Sequence, residues 1–277
     1  MDAARTVVAA DTVFLLREHG EGGGEGVPLL LLHGVPETSS CWRDVAGQLA
    51  PGRRVLAPDL PGLGGSTYGG PYDVPALVAQ LVALLDAEGV EQVDLAGHDW
   101  GGVLGLALAG LHPGRVRRLA VLNAPYRQAP PVSRAVHLPL LALPVLPEVA
   151  FWLSGRRLVD LALRVGWKAP HALDAARRAE YQAAYGGAGR AGAMLGYYRA
   201  AVRPRVLGRA RPVPPALVDA ALVLWGALDP VLPIATGEAA VRDLGPSTRL
   251  TTVPGAGHFV VEEAPEVVTE VLSAFFR

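Results

Sequence analysis

Residues 93–102 read Val93-Asp94-Leu95-Ala96-Gly97-His98-Asp99-Trp100-Gly101-Gly102 and predict a strand that runs directly into a helix. The largely apolar start is typical of a strand that is covered on both faces. Glycines stand two positions before and two positions after Asp99. Glycine permits the sharp turn and the strained backbone that such a junction needs. Asp99 is therefore predicted at the apex of a tight turn between a central strand and a helix.

A carboxylate at this apex excludes a serine ester and favours attack on an sp³ carbon, which leaves an alkyl ester on the enzyme. Hydrolysis of that ester needs a base. His258 lies in the glycine-rich segment Pro254–Phe259, and Asp229 follows the apolar end of the segment Leu224–Pro230. We therefore predict Asp99 as nucleophile, His258 as general base and Asp229 as the residue that orients the histidine.

Each of these three residues has an ordinary explanation when it is taken alone. An aspartate after a strand is often a helix N-cap, and a histidine in a loop is often exposed or hydrogen-bonded. The prediction depends on the conjunction, because all three residues follow predicted strands and come in catalytic order. Parallel strands bring such residues to one edge of a sheet.

A site for a developing negative charge is predicted at the turn His33-Gly34-Val35-Pro36, which ends another apolar strand. The backbone N–H groups of Val35 and Trp100 are expected to point at the carbonyl oxygen of the Asp99 ester and to stabilise an oxyanion there. The Val35–Pro36 bond is a candidate cis peptide.

Short apolar runs alternate with helical patterns along most of the chain, which is typical of βαβ units around a parallel sheet. Strands are predicted at Val13–Glu18, Pro28–His33, Arg54–Pro58, Gln92–Gly97, Arg118–Asn123, Ala221–Gly226 and Thr248–Val253. Helices are predicted at Trp42–Leu49, Pro75–Glu88, Gly101–Leu111, Ala235–Asp243 and Pro265–Phe276. The glycine-rich stretch Gly20–Gly26 is interpreted as a hairpin loop.

The strand–helix alternation stops between residues 126 and 212, which show helical patterns, prolines and glycines but no strand pattern. We predict a core domain at residues 1–125 and 213–277 and a helical cap at residues 126–212. Such an insert is expected over the carboxyl edge of the sheet, where ligands bind in open α/β sheets.

The overall composition gives no indication of a nucleic-acid or membrane partner. Of 277 residues, 51% are hydrophobic and 18% are charged, and the formal net charge is −1. No basic surplus indicates a nucleic acid or an anionic membrane as partner. The single cysteine, Cys41, excludes an intrachain disulfide. No signal-peptide pattern is present, so a cytoplasmic location is expected. The sequence leaves the oligomeric state open between a monomer and a homodimer. The histidines lack metal-ligand spacing, and neither a metal nor a cofactor is expected.

Three segments carry a family resemblance: His33–Arg43, Asp59–Ser66 and Gly97–Gly102. They resemble the epoxide hydrolase and haloalkane dehalogenase branch of the α/β-hydrolase superfamily. The resemblance implies an α/β-hydrolase fold, with a mostly parallel sheet flanked by helices and a helical cap inserted between strands 6 and 7. It also implies an aspartate nucleophile, and it leaves epoxide opening, dehalogenation and defluorination as alternatives.

In the epoxide hydrolases of this branch, two cap residues hold the epoxide oxygen, and the resemblance carries over to two positions here. Gly196-Tyr197-Tyr198-Arg199 matches the family segment that supplies one of them, Tyr198. His137 stands where the family usually has the second tyrosine, so the expected pair is His and Tyr. Tyr197 and Tyr126 are the substitutes considered for these positions.

The leaving group separates the activities. Trp100 and Val103 occupy positions where fluoroacetate dehalogenases carry carboxylate-binding arginines, so a small anionic substrate is not expected. Trp100 is able to bind a halide, but Val35 lacks the second side-chain donor that haloalkane dehalogenases place there. We therefore predict an epoxide hydrolase, with dehalogenation as the alternative and a non-catalytic, receptor-like role as a further one.

The expected partners are water and a small apolar organic substrate, an epoxide. The predicted pocket is lined by aromatic, histidine and proline side chains: His33, Pro36, Trp42, Trp152, Tyr197 and Phe259.

Overall fold

The structure, a computed structural model, describes residues 3–20, 26–126, 140–171, 173–186, 191–207, 209 and 214–277. These residues contain eight strands: β1 Ala3–Ala9, β2 Thr12–His19, β3 Leu29–Leu32, β4 Val55–Pro58, β5 Val93–His98, β6 Val116–Leu122, β7 Ala220–Gly226 and β8 Arg249–Val253. They form one sheet in the order β1-β2-β4-β3-β5-β6-β7-β8. The pairs β1–β2 and β2–β4 are antiparallel, and the remaining pairs are parallel.

The same described ranges contain nine α-helices: α1 Arg43–Leu49, α2 Val74–Ala87, α3 Trp100–Leu111, α4 Leu146–Gly166, α5 Ala175–Tyr185, α6 Gly192–Val206, α7 Ile234–Leu244, α8 Val260–Glu263 and α9 Pro265–Phe276. A 3₁₀-helix spans Ser39–Trp42. The predicted α/β architecture, with helices around a mostly parallel sheet, is thereby confirmed. No helix within the described residues is both long and apolar enough to cross a membrane.

Two sequence interpretations near the N-terminus are wrong. Strand β1 was not predicted; in the sheet formed by the described residues it lies at the edge and pairs with β2. Gly20–Gly26 is not a hairpin loop, because β2 pairs with β1 and β4 while β3 pairs with β4 and β5. This segment, of which residues 21–25 lie outside the described part, connects strands that are not neighbours.

Helices α4, α5 and α6 follow β6 and precede β7 in the chain. The described residues between these two strands contain no strand, as predicted. Both predicted domain boundaries fall beside residues that the structure does not describe, so the division into core and cap stays a prediction. The three helices are called the inserted helices below.

The register of the parallel strands brings their carboxyl ends to one edge. Leu32 pairs with Gly97, His98 pairs with Leu122, and Gly226 pairs with Val253. The residues that follow these ends therefore emerge side by side. This edge carries the turns of Asp99, Asp229 and His258, which are far apart in sequence.

Candidate active site

The turn at Asp99 has the strained geometry that the sequence predicts. Asp99 has φ +46° and ψ −117°, and α3 begins at the next residue. A Cβ on Gly97 would lie 2.4 Å from the carbonyl oxygen of Gly101, and a Cβ on Gly101 would lie 2.2 Å from that of Leu32. Because such contacts are impossible for real side chains, both glycines are needed for the helix to start this close to the sheet.

His258 lies between two carboxylates. Its Nδ1 donates to Asp229 Oδ2 at 2.9 Å, and its Nε2 lies 3.9 Å from Asp99 Oδ1. The second distance is too long for a direct hydrogen bond. Nε2 is therefore left free to accept a proton from a small molecule beside Asp99, which is the geometry expected of a general base.

Asp229 is held by four donors, two on each oxygen. Its Oδ1 accepts from the backbone N–H groups of Val231 and Leu232, and its Oδ2 accepts from Asn123 Nδ2 at 2.6 Å in addition to His258. Burial raises the pKa of Asp229, but the charge of His258 and these hydrogen bonds outweigh burial and lower it. Asp229 therefore remains an anion that stabilises a protonated His258.

The environment of His258 favours its protonated form in the resting protein. Burial lowers the pKa of the buried imidazole, but the charges of Asp229 and Asp99 and the hydrogen bond to Asp229 outweigh burial. The net pKa lies above the ordinary value of 6.5. Loss of the charge on Asp99 must lower it again.

A donor for the predicted oxyanion is in place. The backbone N–H of Val35 donates to Asp99 Oδ2 at 3.1 Å, and the Val35–Pro36 peptide is cis. The second predicted donor, Trp100, is the first residue of α3, where backbone N–H groups lack an acceptor within the helix. Trp100 follows Asp99 in the sequence, and Val35 contacts Asp99 through its hydrogen bond.

A buried ion pair lies next to Asp99. His98 Nδ1 lies 2.6 Å from Glu37 Oε2, and Glu37 Oε2 also accepts from the N–H of Gly34. His98 Nε2 donates to the carbonyl oxygen of His258 at 2.8 Å. Burial lowers the pKa of His98, but Glu37 outweighs burial and raises it to about 9. The pair therefore joins the Val35 turn to the His258 loop, so His98 has a structural role.

Two adjacent tyrosines, Tyr197 and Tyr198, both pack on Trp100 beside Asp99, and their hydroxyl groups have different surroundings. Tyr198 packs edge-on against Trp100, with ring centroids 5.6 Å apart. Burial and the charge of Asp99 raise the pKa of Tyr198 well above its usual range. Its phenol thus stays protonated and able to donate. Tyr197 also packs on Trp100, but its hydroxyl donates to the carbonyl oxygen of Pro61.

The predicted pocket residues divide into three groups. Phe259 is buried and packs edge-on against His258, while Trp42 and Pro36 are buried near the Val35 turn. His33 is a structural residue, because its Nδ1 donates to Gly34 O and its Nε2 accepts from Leu60 N. Trp152 is not at the site.

Trp152 is 67% exposed on α4, so its assignment to the pocket is wrong. The buried positions Gly155, Val159 and Leu163 repeat at helical spacing, and an unbroken helix would align Trp152 with them. Ser154 breaks the helix with φ −144° and ψ 23°, which turns the preceding segment outward. His137, the predicted second cap donor, lies outside the described residues.

Comparison with known proteins agrees with the α/β architecture described above. A family model described as alpha/beta hydrolase fold matches residues 27–265. The chain belongs to this family. It is 26% identical to mouse epoxide hydrolase 4 over 281 residues, which cover 95% of this chain and 77% of that protein.

Two further relatives show how wide the family is. The chain is 38% identical over 128 residues to 2-hydroxymuconate semialdehyde hydrolase from Pseudomonas sp. (strain CF600), and the match spans 44% of each protein. The solved structure of epoxide hydrolase A from Mycobacterium thermoresistibile is 26% identical, with a TM-score of 0.79 over 99% of this chain and 98% of that chain. This α/β-hydrolase thus resembles hydrolases of more than one substrate class, and its own site residues must separate them.

In this α/β-hydrolase, Glu263 holds the loop that carries His258, although sequence reasoning missed it. Its carboxylate accepts from the backbone N–H groups of Gly257 and Phe259, on either side of His258. It also accepts from those of Lys168 and Ala169, just after α4. One buried carboxylate therefore ties the histidine loop to the inserted helices. Asn123, which follows β6, was missed in the same way.

A Glu263→Gln variant is expected to be less stable by about 2 kcal/mol, because the amide nitrogen cannot accept from backbone donors that stay buried. We also expect kcat to fall roughly ten- to hundredfold as the His258 loop shifts. Thermal unfolding and steady-state kinetics measure both effects. The matched control is Glu266→Gln, at an exposed position three residues later. Equal behaviour of the two variants would contradict the positioning role.

Proposed function

We propose that this α/β-hydrolase is an epoxide hydrolase that forms an alkyl ester on Asp99 and hydrolyses it with water activated by His258. The observation that carries the proposal is an aspartate at the strained apex of the turn, with His258 Nε2 on one side and a protonated Tyr198 nearby. Relatives named as epoxide hydrolases over most of the chain support it. The inserted helices, which contribute Tyr198, act as the cap.

Ring opening is the first step. Tyr198 and His137 hydrogen-bond the epoxide oxygen, and an Asp99 oxygen attacks a ring carbon in line. The carbon–oxygen bond of the ring breaks, and the alkoxide takes a proton from the cap pair. The raised pKa of Tyr198 suits this role, because an alkoxide is a strong enough base to deprotonate such a phenol.

Hydrolysis of the ester is the second step. His258 Nε2 takes a proton from water, which attacks the carbonyl carbon of the Asp99 ester, and Asp229 stabilises the imidazolium. Val35 and Trp100 N–H groups stabilise the oxyanion. The ester bond then breaks, and His258 returns its proton to the leaving alkoxide. The second proton of the water leaves the regenerated Asp99 carboxyl group and, through solvent, restores the proton that the cap pair gave up, and a vicinal diol departs. No metal or cofactor takes part in this scheme.

The experiment that tests the proposal is a substrate panel. Terminal, internal and aryl epoxides are compared with bromoalkanes, fluoroacetate and carboxylic esters under one set of conditions. Diol formation from at least one epoxide class, with the highest kcat/KM of the panel, is the expected result. Turnover of the halogenated compounds alone would assign a dehalogenase, and turnover of none would favour the receptor-like role.

Dehalogenation is the second candidate, because Trp100 presents an indole beside Asp99. Two observations weigh against it. The ring of Tyr198 packs edge-on against the Trp100 indole, and Trp100 partly offsets the rise in the pKa of that phenol, so the indole already interacts with Tyr198. Val35 offers no side-chain donor for a halide, and its backbone N–H already donates to Asp99.

A Tyr198→Phe variant is expected to lose about 10²-fold in kcat/KM for epoxides, the usual cost of removing one donor to a developing oxyanion. Tyr197→Phe is the comparison, because its hydroxyl donates to Pro61 and is expected to matter for stability more than for ring opening. Steady-state kinetics on one epoxide measure both. A larger loss for Tyr197→Phe would exchange the roles of the two tyrosines.

The pH dependence of the second step follows from the charges around His258. In the resting enzyme, the charge of Asp99 raises the pKa of His258. Esterification removes this charge and therefore lowers the pKa of His258. Hydrolysis needs the neutral imidazole, so its rate rises with pH through the lower pKa of the alkyl-enzyme. The acid limb of single-turnover hydrolysis is therefore expected at lower pH than the NMR titration of His258 in the free enzyme. Coincidence of the two would show that Asp99 and His258 are not coupled.

A further inference from the structure

The outer surface of α4 and of the turn before it exposes large apolar side chains. Trp152 and Leu153 are each 67% exposed, and their neighbours one helical turn earlier are exposed as well. We call this surface the apolar face; it consists of Leu143, Val145, Leu146, Val149, Trp152 and Leu153. Monomeric proteins rarely leave such a contiguous cluster in water unless it meets a partner.

The near-neutral net charge of the chain conceals an uneven distribution. Residues 126–212 contain 14 arginines and lysines but four acidic residues, which gives them a net charge of +10. Since the whole chain carries −1, the remaining residues carry −11. Strong asymmetry of this kind is typical of proteins with an anionic partner. The cations belong to the same segment as the apolar face.

The acidic residues of α4 are already neutralised, whereas arginines beside the apolar face are not. Glu148 pairs with Arg199, and Asp160 pairs with Arg178. Arg156 and Arg157 lie three and four positions after Leu153, are exposed, and form no ion pair with any residue of the described ranges.

A surface groove continues the same arrangement along α4. It has a volume of about 360 Å³ and is lined by Arg157, Asp160, Leu161 and Arg164. Exposed Leu161 lies between the two arginines. After the apolar face, α4 thus continues with exposed arginines from Arg156 to Arg164 and with exposed Leu161 among them.

We propose that the apolar face and its arginines bind the protein to the surface of an anionic lipid bilayer, with α4 lying in the interface. Tryptophan and leucine side chains insert at the level of the headgroups, and arginines pair with lipid phosphates. Trp152 suits this depth because its ring is apolar and its N–H is polar. The proposal is independent of the reaction catalysed.

A second copy of the chain fits this surface less well. A dimer with two-fold symmetry through the apolar face brings Arg156 and Arg157 of one copy toward the same residues of the other, and like charges repel. A head-to-tail contact with the acidic core satisfies the charges but does not close into a dimer. An anionic bilayer offers an apolar interior for the side chains of the apolar face and negatively charged headgroups for the arginines beside it.

Vesicle co-sedimentation of the full chain tests the proposal. Binding is expected to vesicles of equal parts phosphatidylglycerol and phosphatidylcholine, and to be much weaker to phosphatidylcholine alone. Trp152→Ser/Leu153→Ser is expected to weaken binding to the anionic vesicles at least about 100-fold. Arg156→Gln/Arg157→Gln is expected to weaken it about 30-fold and to reduce its salt dependence.

The matched control is Leu217→Ser, an exposed leucine outside the inserted helices, which is expected to bind as the unmodified protein does. Circular dichroism checks that each variant is folded, and the altered side chains are exposed. Failure of the unmodified protein to bind anionic vesicles, or equal binding by all variants, would overturn the proposal. Concentration-dependent association without lipid that the Trp152→Ser/Leu153→Ser variant abolishes would assign the face to a second copy instead. Neither result depends on which substrate is turned over.

Discussion

A His258→Gln variant is expected to stop after the first chemical step and to accumulate a covalent adduct on Asp99. Attack by the carboxylate on the epoxide needs no base, whereas hydrolysis of the ester needs His258 Nε2 to take a proton from water. Mass spectrometry of the intact protein is expected to show the mass of one substrate molecule added. We expect steady-state turnover to fall at least about 10³-fold, with one equivalent of epoxide consumed in a burst.

The matched control is His112→Gln, at the far end of α3, which is expected to leave turnover unchanged and to show no adduct. Digestion of the His258→Gln adduct locates the ester and must place it on the peptide that contains Asp99. Full activity of His258→Gln would remove the histidine from the mechanism. An inactive variant without an adduct would indicate that His258 is needed for ring opening, contrary to the scheme.

The three residues of the candidate triad were predictable because each follows a short apolar strand. A parallel strand that is buried on both faces appears in the sequence as a short apolar run. The sheet brings the residues that follow such strands to one edge, where they lie close together. Asp99 carried the strongest signal, since its flanking glycines are required by contacts of 2.2 and 2.4 Å in the folded chain. Asp229 and His258 needed only the positions of their strands.

The residues that hold the triad were not predictable in this way. Asn123 contacts Asp229 across 106 positions of sequence, and Glu263 gathers N–H groups from both sides of His258 and from residues about 95 positions away. Asparagine and glutamate are ordinary in loops and short helices, so their type carries no signal. Their roles depend on tertiary contacts alone. The folded chain places Asn123 beside Asp229 and four backbone N–H donors around the carboxylate of Glu263.

Trp152 was assigned to the pocket as an aromatic side chain, and a local break in α4 explains why it is exposed instead. Seven residues separate it from Val159, two turns of an unbroken helix, so the sequence places both on one buried stripe. The Ser154-Gly155 pair carries a signal for a kink, because kinks occur at such pairs. The kink at Ser154 moves the tryptophan from the predicted pocket to the apolar face.

An Asp99→Ala variant is expected to lose about 10⁵-fold or more in turnover and to form no adduct, because it removes the nucleophile itself. It also separates catalysis from helix capping, the ordinary explanation of an aspartate at this position. Asp99 makes no capping hydrogen bond to α3, whereas Asp73 caps α2 by accepting from Ala76 N at 3.1 Å. Asp73→Ala is therefore expected to cost about 1 kcal/mol of stability and no activity.

Asp99→Ala is expected to show the opposite combination, with activity lost and the unfolding temperature nearly unchanged. Kinetics and thermal unfolding of the two variants measure it. A second readout uses the unmodified enzyme, in a single turnover in water labelled with ¹⁸O. Because the diol receives its new oxygen from the carboxylate, the label must appear in Asp99 and be absent from the first diol formed. Label in that first diol would show that water opens the ring directly, and Asp99 would then be a base or an electrostatic group.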